Sequence, residues 1–139
     1  MPDEGQGKCV EAYHRGDLPA FIAALKAATS TSFLANSPSP ITCQAARRGQ
    51  VDFMRAAAEA DAWSVLATDE DFRTPLHYAA LNGDLAACKA IIELKPPRVK
   101  THLLFQQRDT AKSTPLHAAM ISGNEALVVV LLQEGEGAG

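Results

Sequence analysis

Aromatic residues are scarce in this chain, at 6% with a single tryptophan, and neither sign of charge dominates, the formal net charge being −3 over 139 residues. A balance this mild leaves out the basic stripe that nucleic-acid binding needs, so no nucleic acid is expected as a partner. Long apolar runs are missing too. The longest uncharged one, Ala126 to Leu132, is far too short to span a bilayer, and the opening MPDEGQGK is acidic and polar with no apolar stretch behind it. The expectation is an intracellular, cytoplasmic protein without a membrane partner, with the nucleus as the alternative compartment. Cysteines number three (Cys9, Cys43, Cys88), an odd set without a C-x-x-C pair, which excludes a disulfide framework or zinc knuckle and leaves reduced, buried thiols. Catalytic signatures are absent as well: there is no G-x-S-x-G, no H-E-x-x-H, no P-loop and no dinucleotide-binding glycine pattern. No enzyme, cofactor or metal site is therefore expected.

What the chain does have is alanine, apolar residues at 47%, and self-similarity. Gly16, Gly49, Gly83 and Gly123 lie 33, 34 and 40 residues apart, each between an alanine-bearing segment and an amphipathic one: EAYHRGDLPAFIAAL, QAARRGQVDFMRAAA, YAALNGDLAACKAII and AAMISGNEALVVVLL. In the last two units the tetrapeptide Thr-Pro-Leu-His recurs, at Thr74–His77 and Thr114–His117. Each threonine is placed as an N-cap, each proline at the first helical position, where a missing N–H is harmless, and each following glycine at the helix end. The first helix of each unit is thus about two turns long. Asp84 and Asn124 offer caps for second helices, whose apolar residues recur at helical spacing: Leu85, Cys88, Ile91 and Ile92, then Leu127, Val128, Leu131 and Leu132. Helices this short are unstable alone and must stack. The Ala45-Ala46 and Ala79-Ala80 pairs supply the small surfaces that let them approach.

TPLHYAALNGDLAACKAIIE and TPLHAAMISGNEALVVVLLQEG resemble ankyrin repeats, matching the T-P-L-H-x-A signature and the period near 33. The unit at 40–61 keeps Ala-Ala-x-x-Gly but has Cys43 where the histidine of the signature falls, and the first unit keeps only the glycine and the second-helix pattern. The resemblance implies an all-α, ankyrin-type solenoid of about four stacked helix-turn-helix repeats (7–39, 40–73, 74–113 with an insertion at 95–105, and 114–139) joined by hairpin-like fingers into a single domain. It also implies a non-catalytic scaffold that binds a protein partner through a concave surface of first helices and fingers. His77 and His117 take structural roles by the same resemblance, bonding neighbouring turns; helices packed 8–10 Å apart would in any case keep them from sharing one metal. His14 and His102 have no partner that the sequence identifies.

By glycine register, the recognition positions implied by the family are Gln44, Arg47 and Arg48, the finger residues Asp71 and Phe72, then Tyr78, Leu81 and Asn82, and finally Ile121 and Ser122. Tyr78 is the most informative, since an aromatic there either anchors a partner or covers the neighbouring repeat. Arg47 and Arg48 are most simply a solvated pair suited to a helix end. The finger ATDEDFR is acidic, whereas the next connection carries Lys95, Arg98, Lys100, Arg108 and Lys112, and attraction between the two explains both runs. KPPRVKTHLLF, residues 95–105, reads as an insertion. Pro96 ends the preceding helix, Val99, Leu103, Leu104 and Phe105 form a short amphipathic turn against the stack, and Arg98 and Lys100 stay outside. A bridge between units is preferred there over a recognition loop. The last unit lacks the polar outer face that a terminal repeat needs: Met120 with Ile121, and Val129 with Val130, make an apolar end. GEGAG resembles the turn that would open another finger. Either the chain is a fragment of a longer array or this end docks onto another copy or a partner; in both cases it is expected to be buried in a contact, most simply a homodimer through the fourth repeats.

Overall fold

The computed structural model describes residues 4–28, 34 and 40–137, with side chains except those of residues 4–6, 101–102 and 134–137. Four helix pairs follow one another: α1 (Glu4–Arg15) with α2 (Leu18–Ala27), α3 (Ile41–Arg48) with α4 (Val51–Ala60), α5 (Pro75–Leu81) with α6 (Leu85–Leu94), and α8 (Pro115–Ser122) with α9 (Glu125–Gly137). A 3-10 turn (Ala62–Leu66) follows α4, and α7 (Thr101–Phe105) lies within the insertion. Most of the connection between the first and second pairs, and the side chain of His102, lie outside the described residues.

The punctuation acts as its chemistry requires. Gly16, Gly49, Gly83 and Gly123 all adopt φ between +66° and +77°, the left-handed region where a Cβ is penalised. Asp17, Asp84 and Asn124 each accept a backbone N–H three residues on, from Ala20, Ala87 and Leu127. Both T-P-L-H sequences close a capping box in which the threonine hydroxyl accepts the histidine N–H and the imidazole accepts the threonine N–H.

The pairs form two layers. In front, α5 packs between α3 and α8; behind, α4 packs between α2 and α6. Alanines at the contacts (Ala45, Ala46, Ala79, Ala80, Ala119) are essentially inaccessible to solvent, as close approach demands. Tyr13, Phe21 and Phe53 meet at centroid distances of 5.3–6.1 Å and join the first pair to the second. Cys9, Cys43 and Cys88 are all buried free thiols.

The insertion is built into the back layer. Val99 and Leu104 are buried, Arg98 and Lys100 exposed, and α7 packs on α9 and α8. Leu103 departs from the expected apolar set: it points outward, because a five-residue helix has only one face against the stack. Two further corrections concern α9. The apolar spacing puts Leu132 with Leu127, Val128 and Leu131 on the packed face, but it is 46% exposed, since Leu127 and Leu131, one turn apart, already fill the contact. Gly135 and Gly137 do not open a finger; α9 continues through Gly137. Neither adopts the left-handed conformation that ends the other helices at a glycine, so the helical ladder runs on.

Candidate protein-binding face

The fingers are the same turn made twice. In the first, Asp69 Oδ1 accepts N–H from Asp71 and Arg73, and Phe72 N–H donates to the Asp69 carbonyl at 3.0 Å. In the second, Asp109 Oδ1 accepts from Ala111 and Ser113, and Lys112 N–H donates to the Asp109 carbonyl at 2.9 Å. Thr110 N–H donates to the Asp71 carbonyl at 2.9 Å and stacks one finger on the other. The fourth turn residues, Phe72 and Lys112, have φ of +58° and +63°. An Asp five positions before each threonine is the sequence signal for this turn, and it was available in D-x-x-x-R-T and D-x-x-x-S-T.

The ion pair between fingers runs opposite to the expected attraction. Arg73, at the end of the acidic finger, holds Asp109 of the basic one at 3.2 Å; among the described residues the run 69–71 makes no ion pair with the insertion's cations. Burial alone would raise the Asp109 pKa, but the Ser113 N–H, the Arg73 guanidinium and the Ala111 N–H outweigh it and hold the carboxyl below its usual value.

His77 locks its helix to the following finger. Its Nδ1 accepts the Thr74 N–H at 3.0 Å, so Nε2 carries the proton and donates to the Ser113 carbonyl in the next finger at 2.9 Å. Burial lowers its pKa more than the Ser113 carbonyl and Asp109 raise it, which favours this neutral form. Cys43 occupies the same place one repeat earlier, and its thiol contacts the carbonyls of Ala67 and Arg73 at 3.5 Å. A weak S–H donor thus stands in for the imidazole. Burial, with Asp69 nearby, pushes that thiol far up, so it is no nucleophile.

Several expected recognition residues are committed to the stack. Tyr78 is only 8% exposed; its hydroxyl donates to the Asp69 carboxylate, and the Arg73 guanidinium lies 5.7 Å from its ring centroid. The preceding finger folds over the ring. Burial, and then Asp69, raise its pKa to about 12. Asn82 Nδ2 donates to the carbonyls of Ala46 and Arg47, capping the end of α3, and the Ser122 hydroxyl donates to the Ala119 carbonyl. Arg48 lies 5.8 Å from the Tyr13 ring centroid.

Others do converge. Cys43, Gln44, Arg47, Asp69 and Tyr78 line one small pit, and Arg73, His77, Tyr78, Leu81, Asp109, Ser113, Ala118 and Ile121 line a second, so that the two share Tyr78 as a wall. Leu81 and Ile121 are exposed beside the second pit, Ile121 at 72%. Arg47 has no ion-pair partner among the described residues. Asp71 and Phe72 sit apart from both pits, on the finger. Met120 and Val129 are exposed at the end of the stack, and Val130 is half-buried. No group of three or more His, Cys, Asp or Glu side chains is placed to hold a metal ion among the described residues. None of the described helices is long and apolar enough to cross a membrane.

The family model for ankyrin repeats, which holds three copies, matches residues 42–138. The chain belongs to the ankyrin-repeat family. The match takes in the second, third and fourth helix pairs; the first pair precedes it. Ankyrin repeats are in general protein–protein interaction modules and typically non-catalytic.

Proposed function

We propose that this array is a non-catalytic scaffold that binds a protein partner through the face made by its first helices and fingers. The observation that carries this reading is the pair of pits around Tyr78, bordered by Arg47, which has no ion-pair partner among the described residues, and by the exposed apolar side chains of Leu81 and Ile121. Such a mixture of apolar anchor and charge is the composition of a recognition surface. Tyr78 positions this face rather than presenting itself to the partner, and Gln44 lines it. Three buried free thiols suit a reducing compartment and support an intracellular, cytoplasmic location. The test is affinity capture with the full chain, followed by measurement against the purified captured protein. Leu81→Glu combined with Ile121→Glu weakens binding at least tenfold with an unchanged far-UV spectrum; undiminished binding by that variant would sink the assignment.

A second reading rests on the other apolar surface. Met120, Ile121, Val129 and Leu132 are exposed together in the last repeat, which supports self-association through this end. Sedimentation distinguishes it: a dimer that Val129→Lys turns into monomer supports the second reading, and a monomer at every accessible concentration removes it.

A further inference from the structure

Phe72 combines a backbone conformation that the finger turn imposes with a side chain that the fold itself does not ask for. Its backbone sits at φ +58°, a region that asparagine or glycine enters readily and a bulky residue does not. Its ring is 60% exposed, so packing does not offset the backbone strain. The same turn position in the next finger is occupied by Lys112, at φ +63°, whose polar chain loses nothing in water. Strain maintained at an exposed aromatic points to what the ring meets outside the molecule.

The surroundings say what that is. Phe72 follows Glu70 and Asp71, both exposed and without an ion-pair partner among the described residues. The turn beneath them is held by the Asp69 carboxylate and by the Thr110 N–H on the Asp71 carbonyl, so ring and carboxylates are displayed in a fixed geometry and lose little freedom on binding. We propose that this fingertip is a docking plug: Phe72 enters an apolar pocket on a folded protein partner, and lysine or arginine side chains on the rim of that pocket pair with Glu70 and Asp71. This rests on the reading of the array as a protein-binding module and adds to it the chemistry of the partner. The two carboxylates disfavour an anionic lipid surface as the occupant.

The experiment uses the full chain in two steps. Phe72→Asn removes the ring and suits the backbone, so its melting temperature stays at or above that of wild type; a lower one would mean that the ring serves the fold and would overturn the proposal. Benzoylphenylalanine is then placed at position 72 or, separately, at 121, and irradiated in extracts of cells that express the chain. The peptide crosslinked from position 72 contains Lys or Arg beside apolar residues. The purified captured protein binds Phe72→Asn at least tenfold more weakly, and binds Glu70→Lys with Asp71→Lys more weakly still at low salt. Capture from position 121 but not 72, or an affinity indifferent to Phe72→Asn, overturns the plug and leaves the scaffold reading in place. Capture from neither position overturns both.

Discussion

The third and fourth repeats spell the same four residues, Thr-Pro-Leu-His, and fold them into the same capping box, yet the two copies stand in different surroundings. Thr74 and His77 are buried, and the His77 imidazole donates to Ser113 of the following finger. His117 is exposed, and its Nε2 has no acceptor among the described residues. A motif in a stacked array therefore has two layers of meaning: a local one, capping its own helix, which both copies keep, and a bonding one, which exists only where a neighbour supplies a carbonyl. The local layer can be read from four letters. The second requires knowing what lies next door.

The sharpest way to test this contrast is to remove each imidazole. His77→Ala strands the Thr74 N–H and the Ser113 carbonyl in a buried site and is expected to destabilise by about 2–3 kcal/mol, whereas His117→Ala loses only one exposed capping interaction, about 0.5–1 kcal/mol. Equal losses in chemical denaturation would show that the neighbour adds nothing. The glycines should break the contrast instead. Gly83→Val and Gly123→Val both force a branched side chain into positive φ, at a cost of about 1–2 kcal/mol each. A Cβ at Gly83 meets Asn124 and Ser122 only at an ordinary 3.5 Å, and one at Gly123 meets nothing within 4 Å. Similar drops in melting temperature are thus expected, and an unchanged one for either would disprove the helix register.

Acid gives a smaller effect with a definite sign. The folded state holds the His77 pKa below the ordinary imidazole value, so the unfolded chain takes up the proton first. Stability is full above about pH 6.5 and falls as pH drops through the interval between the unfolded and folded pKa values. Asp109, also held low, adds a second loss that begins only near the ordinary carboxylate range. In His77→Gln the first loss should disappear while the second remains; a variant that keeps the same mildly acidic slope would assign that loss elsewhere.

Most of the fold was legible because its signals are local. Glycine at positive φ, proline at the first helical position and a short polar cap are demands of the backbone itself, and all were met where the spacing put them. The face was less legible. Tyr78 lies on the front layer as its register implied, but whether a ring there is displayed depends on the finger before it, and only the Asp69 carboxylate and the Arg73 guanidinium, brought over it by the turn, decide that. Leu103 and Leu132 were misplaced for a related reason: on short or terminal helices the width of the buried stripe is set by how many neighbours exist, not by the apolar period. Cys43 was recognised as a departure from the histidine pattern, and its sulfur turned out to keep a weakened form of the same contact.

In the front layer the fourth repeat is tied directly to the third by the packing of α8 on α5 and by Asn124 Nδ2 on the Gly83 carbonyl at 2.9 Å. Behind, α4 packs directly on α6, whereas among the described residues α9 packs on α7 and α8 and has no comparable contact with α6. In a linear array where each unit draws its stability from nearest-neighbour coupling, a junction that lacks the back-layer contact is the weaker link. The fourth repeat is thereby set up to open as a separate cooperative unit, and its amides in α9 should exchange with deuterium well before those of α4.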